Sequence, residues 1–483
     1  MTFILSRSQA DILPFIVNGS HLDLQFPIPP FEKFKLSYIS LNLTTSNYSI
    51  TQYITLTIYV LAVLLVAGFV YIAFYPRPHR YEWVRSIILV VGTGVMEFPL
   101  YIAFVKFWVM VWMVNAFELQ FTNNPILWID LVTFLALFYA FHLAYKAREV
   151  VHKETREFET HGPKLASFFR PYFWYRMMVP IYIPLNVTVD RDIIYATPQE
   201  IKELGNQTKF LKLDIYKEKS TKNTDKRPVL IFIHGGSWIQ GDKRIPYPQP
   251  SYMASHGWIV VSINYRLFNY PNQLIDCKRA IRWTKENISH YGGDKNFIYV
   301  SGDSAGGHLA TMTALTPNDP KYQPGFANVS TSVRACVSIN GIYDLTNMHD
   351  YFPGRDIIPD WIAQVVCGLK NGIADMKSRK VLEDGSPELL LKHRVENNLE
   401  VVPFLVFHGD RDNLIPVIHT RQFIKLFKTK SVYIEYPGGP HGYHLTHAPR
   451  CHYQMIAMLR FLNWVHDGYQ REHEKINEVT FKI

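Results

Sequence analysis

Three side chains of this sequence have the types and the spacing to share one piece of chemistry. Ser304 stands in Gly302-Asp303-Ser304-Ala305-Gly306, after the apolar, β-prone run 297–300 and before the helix-like run 309–315. A Gly-x-Ser-x-Gly between strand and helix predicts a sharp turn with the serine at its apex. The glycines fit such a turn because a Cβ on either side would crowd neighbouring backbone. A serine hydroxyl is a weak nucleophile until a base takes its proton. His441, in the Gly/Pro-rich loop after the β-prone run 432–436, is the candidate base. Asp412, in the loop after the apolar run 402–407, fits best as the carboxylate that orients the histidine, with Asp410 and Asp344 as substitutes. His444 reads as an exposed, idle loop residue. The chemistry would be acyl transfer through a covalent serine intermediate, with the triad in the order Ser304, Asp412, His441.

A fourth piece lies upstream. The continuous apolar run 228–233 ends in His234-Gly235-Gly236-Ser237-Trp238. Paired glycines after a buried strand leave backbone N–H groups bare, and such groups hold the negative oxygen of a tetrahedral intermediate. The expected donors are Gly235, Gly236 and Ala305. No metal or organic cofactor is required. The 4 cysteines, Cys277, Cys336, Cys367 and Cys451, show neither zinc-ligand spacing nor a disulfide framework.

These side chains need a scaffold that ends several strands at one place. From about residue 187 the chain alternates short β-rich runs with helix-like stretches, which predicts an α/β sheet. Run 210–216 reads as an early antiparallel strand, 273–290 as an amphipathic helix, 258–266 as a strand with its exit, and 228–233, 297–300, 334–340, 402–407 and 432–436 as further strands. Segment 342–399, between two core strands, reads either as a lid or as connecting helices packed on the sheet.

Taken together, His234-Gly235-Gly236-x-Trp238, Gly302-Asp303-Ser304-Ala305-Gly306-Gly307, His408-Gly409-x-x-Asp412 with Ile415-Pro416, and His441-Gly442 resemble the α/β-hydrolase superfamily. More narrowly they are similar to its hormone-sensitive-lipase-like and carboxylesterase-like serine esterases. The stretches 291–319 and 323–326 resemble membrane-associated bacterial lipase/esterases and prenylcysteine methylesterases. The resemblance covers roughly 187–465 and implies an α/β-hydrolase fold, a mostly parallel central sheet flanked by helices, hydrolysing carboxylic esters of lipid, lipidated or small-molecule substrates. Ser237 stands where many such lipases carry a third glycine, which counts against bulky alcohols.

The N-terminal third is different material. An uncharged apolar run at 54–75 is long enough to cross a bilayer as a helix, and runs at 87–117 and 126–145 follow. The expected organisation is a tail at 1–53, a region of about three transmembrane helices at 54–148, a juxtamembrane linker at 149–186, a catalytic domain at 187–470 and a C-terminal tail at 471–483. The linker's aromatic and basic stretch 168–176 reads equally as a helix on the membrane surface or as the next domain's first packed layer. Basic flanks at Arg77, His79, Arg80 and Arg85, and again at Lys146, Arg148, Lys153 and Arg156, put the catalytic domain in the cytosol of an endomembrane such as the endoplasmic reticulum. Three glycosylation acceptors at Asn18, Asn42 and Asn47 agree with a lumenal, glycosylated tail, while Asn186, Asn206, Asn287 and Asn328 in the catalytic domain argue the other way.

A length of 483 residues predicts two or three regions, and 48% hydrophobic content is enough for a large core. The net charge of +9, without a basic block interleaved with aromatics, argues against nucleic acid as a partner. Two other classes remain in view: a catalytically silent scaffold or adhesion protein, and a transporter using the intramembrane charges Glu97, Lys106 and Asp130. Oligomeric state is not readable from the sequence.

Overall fold

The computed structural model describes residues 49–76, 82–122, 124–165, 182, 184–352, 357–374, 376–428 and 431–480. The tail acceptors Asn18, Asn42 and Asn47, the basic residues Arg77, His79 and Arg80, and the stretch 168–176 lie outside them. The chain divides into two compact units, one up to Ala67 with Val105–Phe134, the other Gly68–Phe104 with Leu135 onward.

Among the described residues, three helices are long and apolar enough to cross a membrane: Ile50–Phe74, Pro99–Phe117 and Pro125–Glu154. The apolar run expected at 87–117 breaks in two. Helix Glu82–Glu97 stops ahead of Phe98, and Pro99 opens the next helix. Proline has no N–H to continue a helix and its ring clashes with the preceding turn, whereas at a first helical position both faults are harmless. The apolar part of the first piece, Ser86–Glu97, is too short to span a bilayer. Within the first unit, Leu56, Tyr59 and Val63 pack with Met113, Phe117, Ile126 and Leu127. Buried Asp130 is paired there with Lys106 and accepts the Tyr59 hydroxyl at 2.9 Å. Two of the three charges singled out in the apolar runs thus answer each other, as charges held in apolar surroundings must.

The second unit is built on one eight-stranded sheet: β1 (Val187–Ile194), β2 (Lys212–Glu218), β3 (Arg227–Ile233), β4 (Ile259–Ile263), β5 (Gly293–Asp303), β6 (Cys336–Ile339), β7 (Phe404–Gly409) and β8 (Ser431–Tyr436). Their order across the sheet is β1-β2-β4-β3-β5-β6-β7-β8. β2 pairs antiparallel with both β1 and β4, and every pairing from β4 to β8 is parallel. The continuous apolar runs have a direct cause. In β3, Val229, Ile231 and Ile233 enter one core with helices Asn272–Asn287 and Ala305–Leu315, while Leu230 and Phe232 enter a second core with helices Pro248–Ser255 and Pro449–Thr480. A strand covered on both faces has no polar side to alternate with. Helix Pro449–Thr480 continues past residue 470, and helix Pro125–Glu154 past residue 148. All four cysteines are buried free thiols.

Candidate active site

Parallel strands end on one side of a sheet, and the loops beyond their C-terminal ends are where open α/β sheets bind ligands. Four such loops carry the residues singled out by the sequence. Ser304 follows β5 directly, residues 234–238 follow β3, Asp412 follows β7 and His441 follows β8. The serine has φ +51 and ψ −118, a left-handed backbone in a residue other than glycine. Such a conformation persists only where the surroundings hold it. Here the Ser304 N–H is donated to Ile339 O at 2.8 Å, and β5 passes straight into helix Ala305–Leu315. The turn requires its glycines: a Cβ on Gly302 would lie 2.3 Å from Gly306 O, and one on Gly306 would lie 2.1 Å from Ile233 O.

His441 is buried, with its Nδ1 2.7 Å from Asp412 Oδ2. An ionised carboxylate only accepts, so Nδ1 carries the proton and Nε2 is left as the basic nitrogen. Asp412 is fixed on both oxygens. Its Oδ1 accepts the N–H groups of Leu414 and Ile415 at 2.9 and 2.8 Å, and His408 Nε2 stands 3.2 Å from Oδ2. Burial alone would raise the Asp412 carboxyl, but the imidazoles of His441 and His408 outweigh it and hold the group well below the usual carboxylate range. Burial alone would lower His441, and Asp412 overcomes that to raise it above the ordinary histidine value. Asn340 ties the base loop to the sheet: its Nδ2 donates to His441 O at 2.6 Å, and its Oδ1 accepts Gly409 N–H at 3.3 Å. The two substitutes for Asp412 are engaged elsewhere, Asp410 with Gly438 N–H and Asp344 with Thr346 and Met348.

The glycine turn differs from its expected use. Gly235 N–H is donated to Asp303 Oδ1 at 2.9 Å, with Tyr247 Oη at 3.3 Å, so it is already spent inside the protein. Past it the backbone turns through Gly236 at φ +121 and Ser237 at φ +53. Among the described residues the N–H groups of Gly236 and Ser237 have no protein acceptor. Ala305 opens its helix, where the first N–H groups lack an intrahelical partner.

His444 is also not where it was expected. It is buried, and its Nε2 lies 3.1 Å from Asp303 Oδ2, which also accepts the Tyr247 hydroxyl at 3.2 Å. Asp303, beside Ser304, therefore joins the glycine turn to the loop that carries His441. Sequence reasoning passed over this junction, although Asp303 lies inside the serine motif and His444 three residues past the base. A cavity of about 130 Å³ opens above Ser304 and Ala305, walled in part by Trp238, Ile358, Trp361 and Ile415. Ile342, Phe352, Ile358, Trp361 and Ile362, all from between β6 and β7, line this cavity with Ser304. Two larger surface cavities, of about 580 and 770 Å³, are lined by none of these residues.

The BD-FAE family model matches residues 213–427. The probable carboxylic ester hydrolase LipM of Mycobacterium tuberculosis is 39% identical over 258 residues, 52% of this chain and 57% of the relative. The probable isoprenylcysteine alpha-carbonyl methylesterase ICMEL1 of Arabidopsis thaliana is 29% identical over 280 residues, 55% of this chain and 53% of the relative. A crystal structure of inhibited esterase B from Lactobacillus rhamnosis superposes with a TM-score of 0.50 at 18% identity, covering 68% of this chain and 99% of that one. The fold is the α/β-hydrolase fold, and the sequence resembles the esterases that use it. This chain spans little more than half the length of the two curated relatives.

Proposed function

We propose that this chain is a membrane-anchored carboxylic ester hydrolase with Ser304 as nucleophile, His441 as general base and Asp412 as the carboxylate that orients it. The observation that carries the reading is the His441 Nδ1–Asp412 Oδ2 contact of 2.7 Å, in loops that end on the same sheet edge as the strained Ser304 turn. In the first step Nε2 of His441 takes the Ser304 proton as Oγ attacks the ester carbonyl, and the imidazolium is stabilised by Asp412. The alcohol leaves with that proton. Water, activated by the same nitrogen, then cleaves the acyl-enzyme.

The oxyanion donors we assign are Gly236, Ser237 and Ala305, because Gly235 N–H is committed to Asp303. With the turn shifted by one residue, Ser237 supplies a backbone donor and its departure from glycine costs the hole nothing. The apolar helices support anchoring: Leu61, Leu65, Phe104, Trp112 and Val132 are all more than half exposed on helices long enough to span. A bilayer is the environment such faces need, and it would bring lipid or lipidated esters to the site.

The test is labelling with a fluorophosphonate in membranes expressing wild type and Ser304→Ala. Label on the wild type alone is expected. No label on a folded wild type, beside a serine hydrolase that does label, would overturn the catalytic reading and favour a silent scaffold.

A further inference from the structure

Helix Glu82–Glu97 has the composition of membrane material, yet one of its faces is turned to the candidate active site. Ser86 and Leu89 line the cavity above Ser304. Thr93 lies against the base loop, where a Cβ built on Gly442 would meet its Oγ1 at 2.9 Å. At the end of the helix, Arg450 Nη1 donates to Met96 O at 3.0 Å and to Glu97 Oε1 at 2.5 Å. The same guanidinium donates to Pro437 O, at the root of the loop that carries His441. Positions 86, 89, 93 and 97 follow one another at three- and four-residue steps, so they share one helical face. Ile87 lies off that face and is 50% exposed, and Val90, on the rim of the face beside Ser86, is 70% exposed. The helix is thus oriented and pinned, not merely near.

From this we infer that helix Glu82–Glu97 is a wall of the substrate pocket, and that Leu89 limits the length of the acyl group the enzyme accepts. The inference rests on the esterase reading above. A cavity of about 130 Å³ is well below the usual 300–1,000 Å³ of ligand pockets. It suits a short acyl chain, bounded by Leu89 on one side and by Trp361 and Ile358 on another. The N-terminal apolar region therefore does more than tether: it completes the specificity of the site, and the substrate class is short-chain acyl esters, whatever the size of the alcohol.

The experiment uses the full chain in detergent micelles and a series of p-nitrophenyl esters from acetate to octanoate, with wild type, Leu89→Ala, Leu89→Trp and Ser304→Ala. For Leu89→Ala, the ratio of kcat/KM for hexanoate to that for acetate should rise by about tenfold, the size of effect that one or two methylenes have in an apolar pocket. Leu89→Trp should move the ratio of butyrate to acetate the opposite way. Fluorophosphonate labelling reports whether each Leu89 variant is folded, and thermal unfolding does so for Ser304→Ala, which has no serine to label. If Leu89→Ala does not label, Leu89→Trp and the milder Leu89→Val carry the test. Ser304-dependent turnover with ratios indifferent to Leu89 would overturn the wall. So would a length limit read only in a series of acetate esters of lengthening alcohols, since the cavity would then take the alcohol. Absence of Ser304-dependent turnover in the wild type would instead sink the esterase reading, and the wall with it.

Discussion

Replacing Asp303 by alanine tests the claim that the acid beside the nucleophile is a junction. Its carboxylate accepts Gly235 N–H at 2.9 Å, the Tyr247 hydroxyl at 3.2 Å and His444 Nε2 at 3.1 Å, all in the buried floor of the site. Alanine removes the acceptor from three donors at once. A buried donor left unpaired costs about 1–3 kcal/mol, and allowing for partial relaxation the total loss of stability should be about 3–5 kcal/mol. The kinetic effect should exceed what stability alone gives. The glycine turn and the base loop are both released, and a misplacement of about 1 Å in such groups costs about a hundredfold in rate. Asp303→Asn should be far milder. Its amide oxygen can still serve Gly235. Its NH₂ can be met if the Tyr247 hydroxyl turns to accept and His444 moves its proton to Nδ1, which has no partner among the described residues. The assay is kcat/KM for p-nitrophenyl acetate together with thermal unfolding in micelles. An Asp303→Ala enzyme with wild-type Tm and kcat/KM would refute the junction. Equal damage from Asn and Ala would refute the hydrogen-bond argument and leave the charge as the cause.

Other outcomes follow from the same geometry. The base must be neutral, and His441 is raised above the ordinary histidine value, so kcat/KM should fall as pH drops through a midpoint above about 6.5. Asp412→Asn removes the main raising influence, leaving burial opposed only by the more remote Asp303. It should shift that limb to lower pH while cutting kcat by about 10⁴-fold, and a limb that stays put would count against the pairing. Arg450→Met leaves Glu97 buried without its cation and should cost about 3–5 kcal/mol, with much of it recovered in the double variant with Glu97→Leu; a thermal-unfolding cycle without such coupling would refute the pair. His308 is buried, takes Trp238 Nε1–H on Nδ1, faces Gly385 O with Nε2, and burial lowers it to about 4. Its folded pKa lies below the unfolded one, so its share of stability is full at neutral pH and is lost as pH falls from about 6.5 towards 4, by up to roughly 3 kcal/mol. His308→Gln should flatten the dependence of Tm on pH between those limits, and an unchanged slope would refute it.

What the sequence makes legible here follows from what local rules encode. β3 and β7 are readable because a strand covered on both faces must be apolar throughout. The candidate positions Ser304, Asp412 and His441 are readable because each lies at or just past the end of a β-prone run, directly after β5 for the serine and in the loops after β7 and the edge strand β8 for the other two. The oxyanion turn is readable as a pair of glycines but not as a choice of donors. Whether Gly235 or Ser237 offers its N–H depends on Asp303, 68 residues away, having claimed the first. His444 fails for the same reason: an exposed loop histidine and one buried on a carboxylate look alike until the loop is folded. Helix Glu82–Glu97 is the clearest case. Apolar side chains say that a face leaves water, and they say nothing about whether lipid or protein replaces it. The informative residue was Glu97, because a carboxylate in an apolar helix demands a partner. Its partner is Arg450, 353 residues further on and in hydrogen-bond contact with the base loop. A buried charge in a sequence announces a tertiary contact without its address, and here the address was the root of the loop that carries His441.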